Sequence, residues 1–422
     1  MKGKLLKILI AVFAVALIAP AFSAVENVKV GGDVAIYGVI RGKYALPTND
    51  YHNFFQTSAR VYVSADLSEN VSAMVRLINE RDWGYGDTGT GIDLDLGYIQ
   101  VKDLLTPGLN LTVGRQEIQL GEGLVIGSAY NAYNNNYAVA NLAAKDLGLQ
   151  KAFDAVKLDY TASAIPLSVT AFLSTINEQL WTDQTLLGLN LGYKVADIAD
   201  IEVYYVRDDN YGNDEANLDT AGIRVVSKIP AIENFNLKGE YAKQFGDNGL
   251  TGNAKRDYEG WALLLGGEYK FSANMEPAIK VNYNIFTGDK NTNDTKAKNW
   301  QRVFPSNIGS RIGPLFYAYD AWNIGNGESN LKVLNLGFSL KPVEKLTLSL
   351  DGYWLKTDEK VAVGANSYDE IGKEIDLGIE YKYSEDLVFG LSLGKILADD
   401  LIEKGLGGDD AYQVIASMKV SF

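Results

Sequence analysis

Arg41, Arg60, Arg76, Arg224, Lys280, Asp351, Asp376 and Glu380 share one property: each falls on the polar side of an alternating stretch, between aliphatic neighbours. Charges ranked on one face of a sheet create a fixed field that orders polar solutes and weights the passage of ions. Arg115, in "LTVGRQEIQLGEGLVIG", has the parity of Leu111 and Val113, so it joins the set only if a bulge near Gly114 shifts the phase. The arginines and Lys280 would form a basic arc and Asp351, Asp376 and Glu380 an acidic one, the two opposed across a lumen. The plainer alternative is that these charges merely solvate a wall while external loops set selectivity.

Other chemistries fail on their residue types. The chain has no cysteine, which excludes thiolate metal sites and cysteine nucleophiles. Its single histidine, His52, is expected in the first external loop, and Ser58, the nearest serine, several positions deeper on a strand; a triad needs both within hydrogen-bond reach. "GYGDTG" matches a dinucleotide fingerprint in letters, but the strand-like "IDLDLGYIQV" follows where a helix is required. "DKNTND" starts like a calcium loop and then places Asp294 and Trp300 where glycine and glutamate are needed. No catalytic residue, cofactor or metal site is therefore expected. A formal net charge of −14 also excludes nucleic acid as a partner, since phosphate binding needs a basic footprint.

The elements that must position the charges alternate with period 2 almost throughout. In "VKVGGDVAIYGVIRGKY", Val28, Val30, Val34, Ile36 and Ile40 oppose Asp33, Tyr37, Arg41 and Lys43. In "TSARVYVSADL", Ala59, Val61, Val63, Ala65 and Leu67 oppose Ser58, Arg60, Tyr62, Ser64 and Asp66. In "EIDLGIEYKY", Ile375, Leu377, Ile379 and Tyr381 oppose Glu374, Asp376, Glu380 and Lys382. One face is aliphatic and the other charged. A lipid-facing Arg or Lys at a bilayer midplane costs ~2–4 kcal/mol, which directs the charged face to a lumen.

The ends of the chain agree. Lys2, Lys4 and Lys7 precede the apolar run Ile8–Ala19 and the small residues of "PAFSA", the pattern of a cleaved signal peptide over residues 1–24. No later apolar stretch is long enough for a spanning helix of ~20 residues. Short connections (68–70, 106–108, 164–166, 197–200, 230–234, 272–275, 342–345 and 384–386) alternate with long Gly/Asn/Asp-rich ones, as periplasmic turns alternate with external loops. Counting between them gives an all-β, closed antiparallel transmembrane β-barrel over residues 25–422. It has about 18 strands, or 16 if two weak ones fail, with roughly 22 residues per strand and connection. The last strand, "AYQVIASMKVSF", pairs with the first to remove both sheet edges.

Two resemblances add to this reading. The closing strand, with Tyr412, Val420 and the terminal Phe422, resembles the C-terminal signature of outer-membrane proteins, which implies the barrel assembly machinery as a partner. The "GRQ" of residues 114–116 with its Gly-rich continuation resembles the strand-to-loop passage of porins of the alginate-export type; Leu124 and Val125 stand where those porins carry an arginine. The resemblance implies a channel in the bacterial outer membrane, surrounded by lipid and lipopolysaccharide. Barrels of 16–18 strands leave an aqueous channel, so diffusion of small hydrophilic solutes or ions is the expected function. The alternatives are a selective channel for an acidic sugar or polysaccharide, and a plugged structural or adhesive barrel. Residues 128–150 form either a constriction loop folded inward or an external cap.

Overall fold

The computed structural model describes residues 26–43, 51–84, 91–127, 147–149, 152–178, 183–211, 215–229, 232–304, 306 and 329–422. Eighteen long strands make the wall: β1 (Glu26–Gly42), β2 (Tyr51–Ser68), β3 (Val71–Asp82), β4 (Asp93–Val101), β5 (Leu109–Gln116), β6 (Phe153–Thr161), β7 (Leu167–Glu178), β8 (Asp183–Val195) and β9 (Ala199–Asp209) in the first half. The second half holds β10 (Asn217–Lys228), β11 (Phe235–Asp247), β12 (Trp261–Lys270), β13 (Ala278–Phe286), β14 (Leu331–Val343), β15 (Leu346–Val363), β16 (Asn366–Lys382), β17 (Leu387–Ala398) and β18 (Ala411–Ser421). Two-residue strands at Asp257–Tyr258 and Lys296–Ala297 pair in parallel within external connections.

Each strand pairs antiparallel with its neighbours in the chain, and β1 also pairs with β18, from Asp33 opposite Ser421 to Gly42 opposite Tyr412. Phe422 continues that ladder by exchanging backbone hydrogen bonds with Gly32, at 2.9 and 3.0 Å. The sheet is thus closed, and the backbone groups of its first and last strands are paired as a hydrocarbon environment demands. This is an outer-membrane-type barrel of the expected strand number.

The faces follow the alternation. Val61, Val63, Val75, Leu77, Leu189, Leu191, Ile279, Val281, Leu336 and Ile375 are exposed outward, while Ser58, Glu80, Thr220, Glu240, Glu374 and Gln413 between such residues are buried on the lumen side. The expected short connections join consecutive strands at one shared end of the wall, with 230 and 231 outside the described residues, and that end is the one expected to be periplasmic by length. One external connection departs from the pattern of long loops. β15 and β16 run on to a two-residue turn, where Gly364 takes the positive φ (62°) that the first position of a type II′ turn requires. Lys360 pairs with Asp369 at 3.6 Å across this extension, which polar alternation carries beyond the apolar band. His52, expected in a loop, lies within β2 opposite Arg41.

The signal-peptide segment and residues 128–146 and 150 lie outside the described residues, so the choice between constriction loop and external cap is described only at 147–149. There Leu147 packs on the lumen-side cluster of Ala35, Tyr37 and Val39, and the backbone N–H of Leu149 donates to Glu80 at 2.8 Å.

Candidate functional site

The lumen contains a piece of chain that strand parity does not foresee. After β5, residues 117–127 turn inward and fold on themselves: Leu120 donates its N–H to Ile126 and Gly123 to Leu120, both at 2.9 Å. They then pair with the β13–β14 connection, through Gly127 N–H to Phe304 (2.7 Å), Phe304 N–H to Val125 (2.8 Å) and Ser306 N–H to Gly123 (2.6 Å). Leu124, Val125 and Ile126 are 3%, 0% and 0% exposed, packed with Leu218, Ala262, Phe286, Leu331 and Val333 of the wall. An apolar core therefore fills part of the barrel, at about 25 cal/mol for each Å² withdrawn from water.

Polar contacts anchor the same segment. Glu240 on β11 accepts the Glu122 N–H and the Tyr204 hydroxyl, each at 2.6 Å. A Cβ on Gly121 (φ 56°) would lie 2.7 Å from that carboxylate, so only glycine fits. The Glu122 carboxylate in turn accepts from Arg224 (2.6 Å) and Lys238 (2.7 Å), while Arg224 also binds Glu202 at 2.5 Å. Burial alone would push Glu122 up, but the hydrogen bonds from Lys238 and Arg224 outweigh it and hold the carboxyl below its ordinary range.

Arg60, Arg76, Arg224, Lys280, Asp351, Asp376 and Glu380 all share the lumen parity. Arg60 pairs with Asp33 at 3.0 Å and reaches Asp95 at 4.0 Å; Arg76 pairs with Asp95 (2.5 Å) and with Glu117 at the start of the inner segment (2.8 Å). Asp95 is fully buried at a register shift in the β3–β4 ladder, which turns it toward both arginines. Arg41, 2% exposed near the external end, donates to Gln413 on β18. Asp351 and Asp376 stand directly opposite each other, and Glu380 lies nearer the periplasmic mouth, opposite Thr347.

Two expectations need correction. The basic and acidic residues do not form separate opposing arcs, because Lys280 pairs with Asp351 at 2.8 Å, and Arg60, Arg76 and Arg224 each have a carboxylate beside them. Arg115 does not line the lumen. The β5–β6 register runs unbroken from Leu109 opposite Tyr160 to Gln116 opposite Phe153, so no bulge changes its phase and it stays on the face of Val113 and Leu158. There it pairs with Asp154 at 3.1 Å, close to the external ends of β5 and β6, where a charge on the lipid side costs only ~0–1 kcal/mol.

The serine considered for a triad has a different partner. Ser58 donates to Glu80 at 2.8 Å rather than to His52. The carboxylates of the calcium-like stretch cap their own loop: Asp289 accepts the Asn291 N–H (3.1 Å) and Asp294 the Lys296 N–H (2.8 Å).

The sequence profile of the alginate export family matches residues 52–407. The chain belongs to the alginate export family. Solved structures that resemble this family member include Pseudomonas aeruginosa OpdL (TM-score 0.63, 11% identity, 94% of this chain and 99% of that one) and OpdQ (0.62, 12%, 94% and 98%). A BenF-like porin from Pseudomonas fluorescens Pf-5 aligns at 0.61 and 13% identity over 95% of this chain and all of its own. At such identities the likeness establishes the fold. No curated protein matches the sequence significantly.

Neither Glu122, Lys238 nor Glu240 was legible as a site residue. Their signal is faint: an acid between two glycines, in an apolar stretch too short to span a bilayer, next to the family-like "GRQ".

Proposed function

We propose that this chain is an outer-membrane porin, which admits small hydrophilic solutes or ions by passive diffusion and performs no catalysis. The observation that carries the reading is a closed wall whose lumen holds ion-paired charges from many strands while its outside is aliphatic. Such an interior is built for water, since partly buried pairs of this kind need solvent or further hydrogen bonds to offset their desolvation. Arg60, Arg76, Arg224, Lys280, Asp351, Asp376 and Glu380 line the path, and the inner segment 117–127 narrows it. Purified protein in planar bilayers is expected to give discrete open steps of sizeable conductance; a silent bilayer with folded barrel inserted would replace this reading with a plugged scaffold.

Family membership favours a second reading, passage of an acidic sugar polymer. Uronate oligomers added to one side should then interrupt the current with a frequency that falls as salt rises.

Residues 1–24 act as the export leader, and Phe422 serves recognition by the barrel assembly machinery, within a membrane of lipid and lipopolysaccharide. Deleting Phe422 is expected to lower assembly in the outer membrane while export to the periplasm continues; undiminished assembly would remove the signature role.

A further inference from the structure

Below the inner segment, on the periplasmic side of Leu124, the wall encloses a cavity of about 420 Å³ bounded by β10–β15. One row of side chains crosses its back at matched register: Lys238, Gly266, Asn282, Asn335 and Tyr353, each directly opposite the next. Two of these amides are chained, Asn282 Nδ2 donating to Asn335 at 2.8 Å and Asn335 Nδ2 to Asp351 at 3.1 Å. Gly266 leaves the row flat, for a Cβ there would lie 2.6 Å from the Asn282 oxygen and 2.8 Å from Lys238. One position above, Asn284 is 9% exposed, lines the cavity, and has no side-chain hydrogen bond to any described residue. Its carboxamide atoms are open to the cavity rather than sealed from it, so a donor and an acceptor stand ready for water or a polar solute.

The charges are disposed differently. Lys238 is paired with Glu122 at 2.7 Å and Lys280 with Asp351 at 2.8 Å, so both ammonium groups that reach the cavity are neutralised. Glu122, Glu240 and Glu268 also line it, which leaves three carboxylates against two lysines. Phe286 and Tyr353, 2% and 3% exposed, border it with aromatic carbon. Fixed amides beside aromatic carbon, with no uncompensated cation, suit a molecule that offers many hydroxyls and an apolar C–H face.

We propose that this cavity is a binding subsite for a neutral, hydroxyl-rich solute of sugar type, rather than for a carboxylate. The subsite deepens the channel reading and rests on it for access, not for the chemistry of recognition. Its volume lies within the ~300–1,000 Å³ usual for small-molecule sites.

Saturation-transfer NMR on the full-length protein in detergent micelles tests it, with sucrose and glucuronate as probes. Sucrose is expected to receive saturation, and a tenfold excess of glucuronate should not displace it. Asn284→Leu should reduce the sucrose signal at least fivefold, and Asn282→Leu should do the same should the first variant not fold, as judged by heat-modifiable gel mobility. Displacement by glucuronate, absence of transfer from the parent protein, or an undiminished signal in folded variants would each overturn the subsite. Conductance measured in parallel separates the two readings. A conducting barrel without sucrose transfer refutes the subsite alone, whereas sucrose transfer to a silent barrel refutes the channel alone.

Discussion

The lumen has two halves that use the same residue types for different ends. Along β1–β4, the wall pairs chiefly with itself, Arg60 with Asp33 and Arg76 with Asp95 on adjacent strands, and only Arg76 also reaches the start of the inner segment, at Glu117. Along β10 and β11, the wall pairs chiefly with the inner segment, through Arg224 and Lys238 to Glu122, and through Glu240 to the Glu122 N–H. In the first half an ion pair fixes the charge of the lining. In the second it fixes the position of a piece of chain, and hence the width of the path. An arginine read as pore-lining can thus be either a lining charge or an anchor, and only its partner's place in the fold tells which.

The largest effect should come from breaking the anchor. The pair Glu122→Ala with Glu240→Ala removes at once the acceptors of Lys238, Tyr204 and the Glu122 N–H and one of the two carboxylates that Arg224 binds, leaving the buried Tyr204 hydroxyl unmet. Single-channel conductance is expected to rise severalfold, or to flicker between two levels as the segment leaves the wall. Unchanged conductance would mean that the apolar packing of Leu124–Ile126 suffices to hold it. Gly121→Ala should act in the same direction, because the added Cβ meets the Glu240 carboxylate and the residue's φ of 56° is strained for alanine.

In the other half the expected change is in selectivity, not in width. Arg60→Ser with Arg76→Ser leaves Asp33, Asp95 and Glu117 uncompensated in the lumen, so reversal potentials in a salt gradient should move toward cation preference. Conductance at high salt should stay within about twofold, since no anchor to β10 and β11 is touched. A reversal potential that does not move would place both arginines off the permeation path.

A smaller, graded effect follows from acid. Glu122 is held below its ordinary value in the folded protein, so its ionisation stabilises the docked segment above the unfolded pKa and that contribution is lost as pH falls through the depressed one. Conductance should accordingly be flat from neutral pH down through the ordinary carboxylate range, then rise below it. An increase already complete at mildly acid pH would show that another group governs docking.

How much of this was readable beforehand follows from the range of the interactions. Strand parity depends on neighbours two residues apart, and it assigns Arg60, Arg76, Arg224, Lys280, Asp351, Asp376 and Glu380 to one face of the sheet without reference to any distant residue. Closure was also legible, because the alternation runs to the last residue and an open edge in lipid is untenable. Residues 117–127 were not. Their anchors Arg224, Lys238 and Glu240 lie more than 100 positions away in the chain, and no local pattern links them to Glu122. Separation along the chain also hid the pairing of Lys280 with Asp351, which dissolves the expected pair of opposing arcs.

Arg115 offers the finest test of the comparison, because it is an arginine in neither half. It sits beside Asp154 on the outer face near the external rim, the Asp154 side chain 61% exposed and that of Arg115 15%. A pair whose carboxylate is open to solvent is worth ~0–1 kcal/mol, and the lipid penalty there is similarly small. Arg115→Ser should therefore leave conductance and reversal potential at the parent values, and shift thermal unfolding of the barrel little if at all. A change in ion selectivity would mean that β5 presents Arg115 inward, against the unbroken β5–β6 register. A marked loss of stability with selectivity intact would instead give the outer pair a structural role at the rim. The expected silence is informative, because Arg76, which binds the adjacent Glu117, should speak clearly in the same measurement.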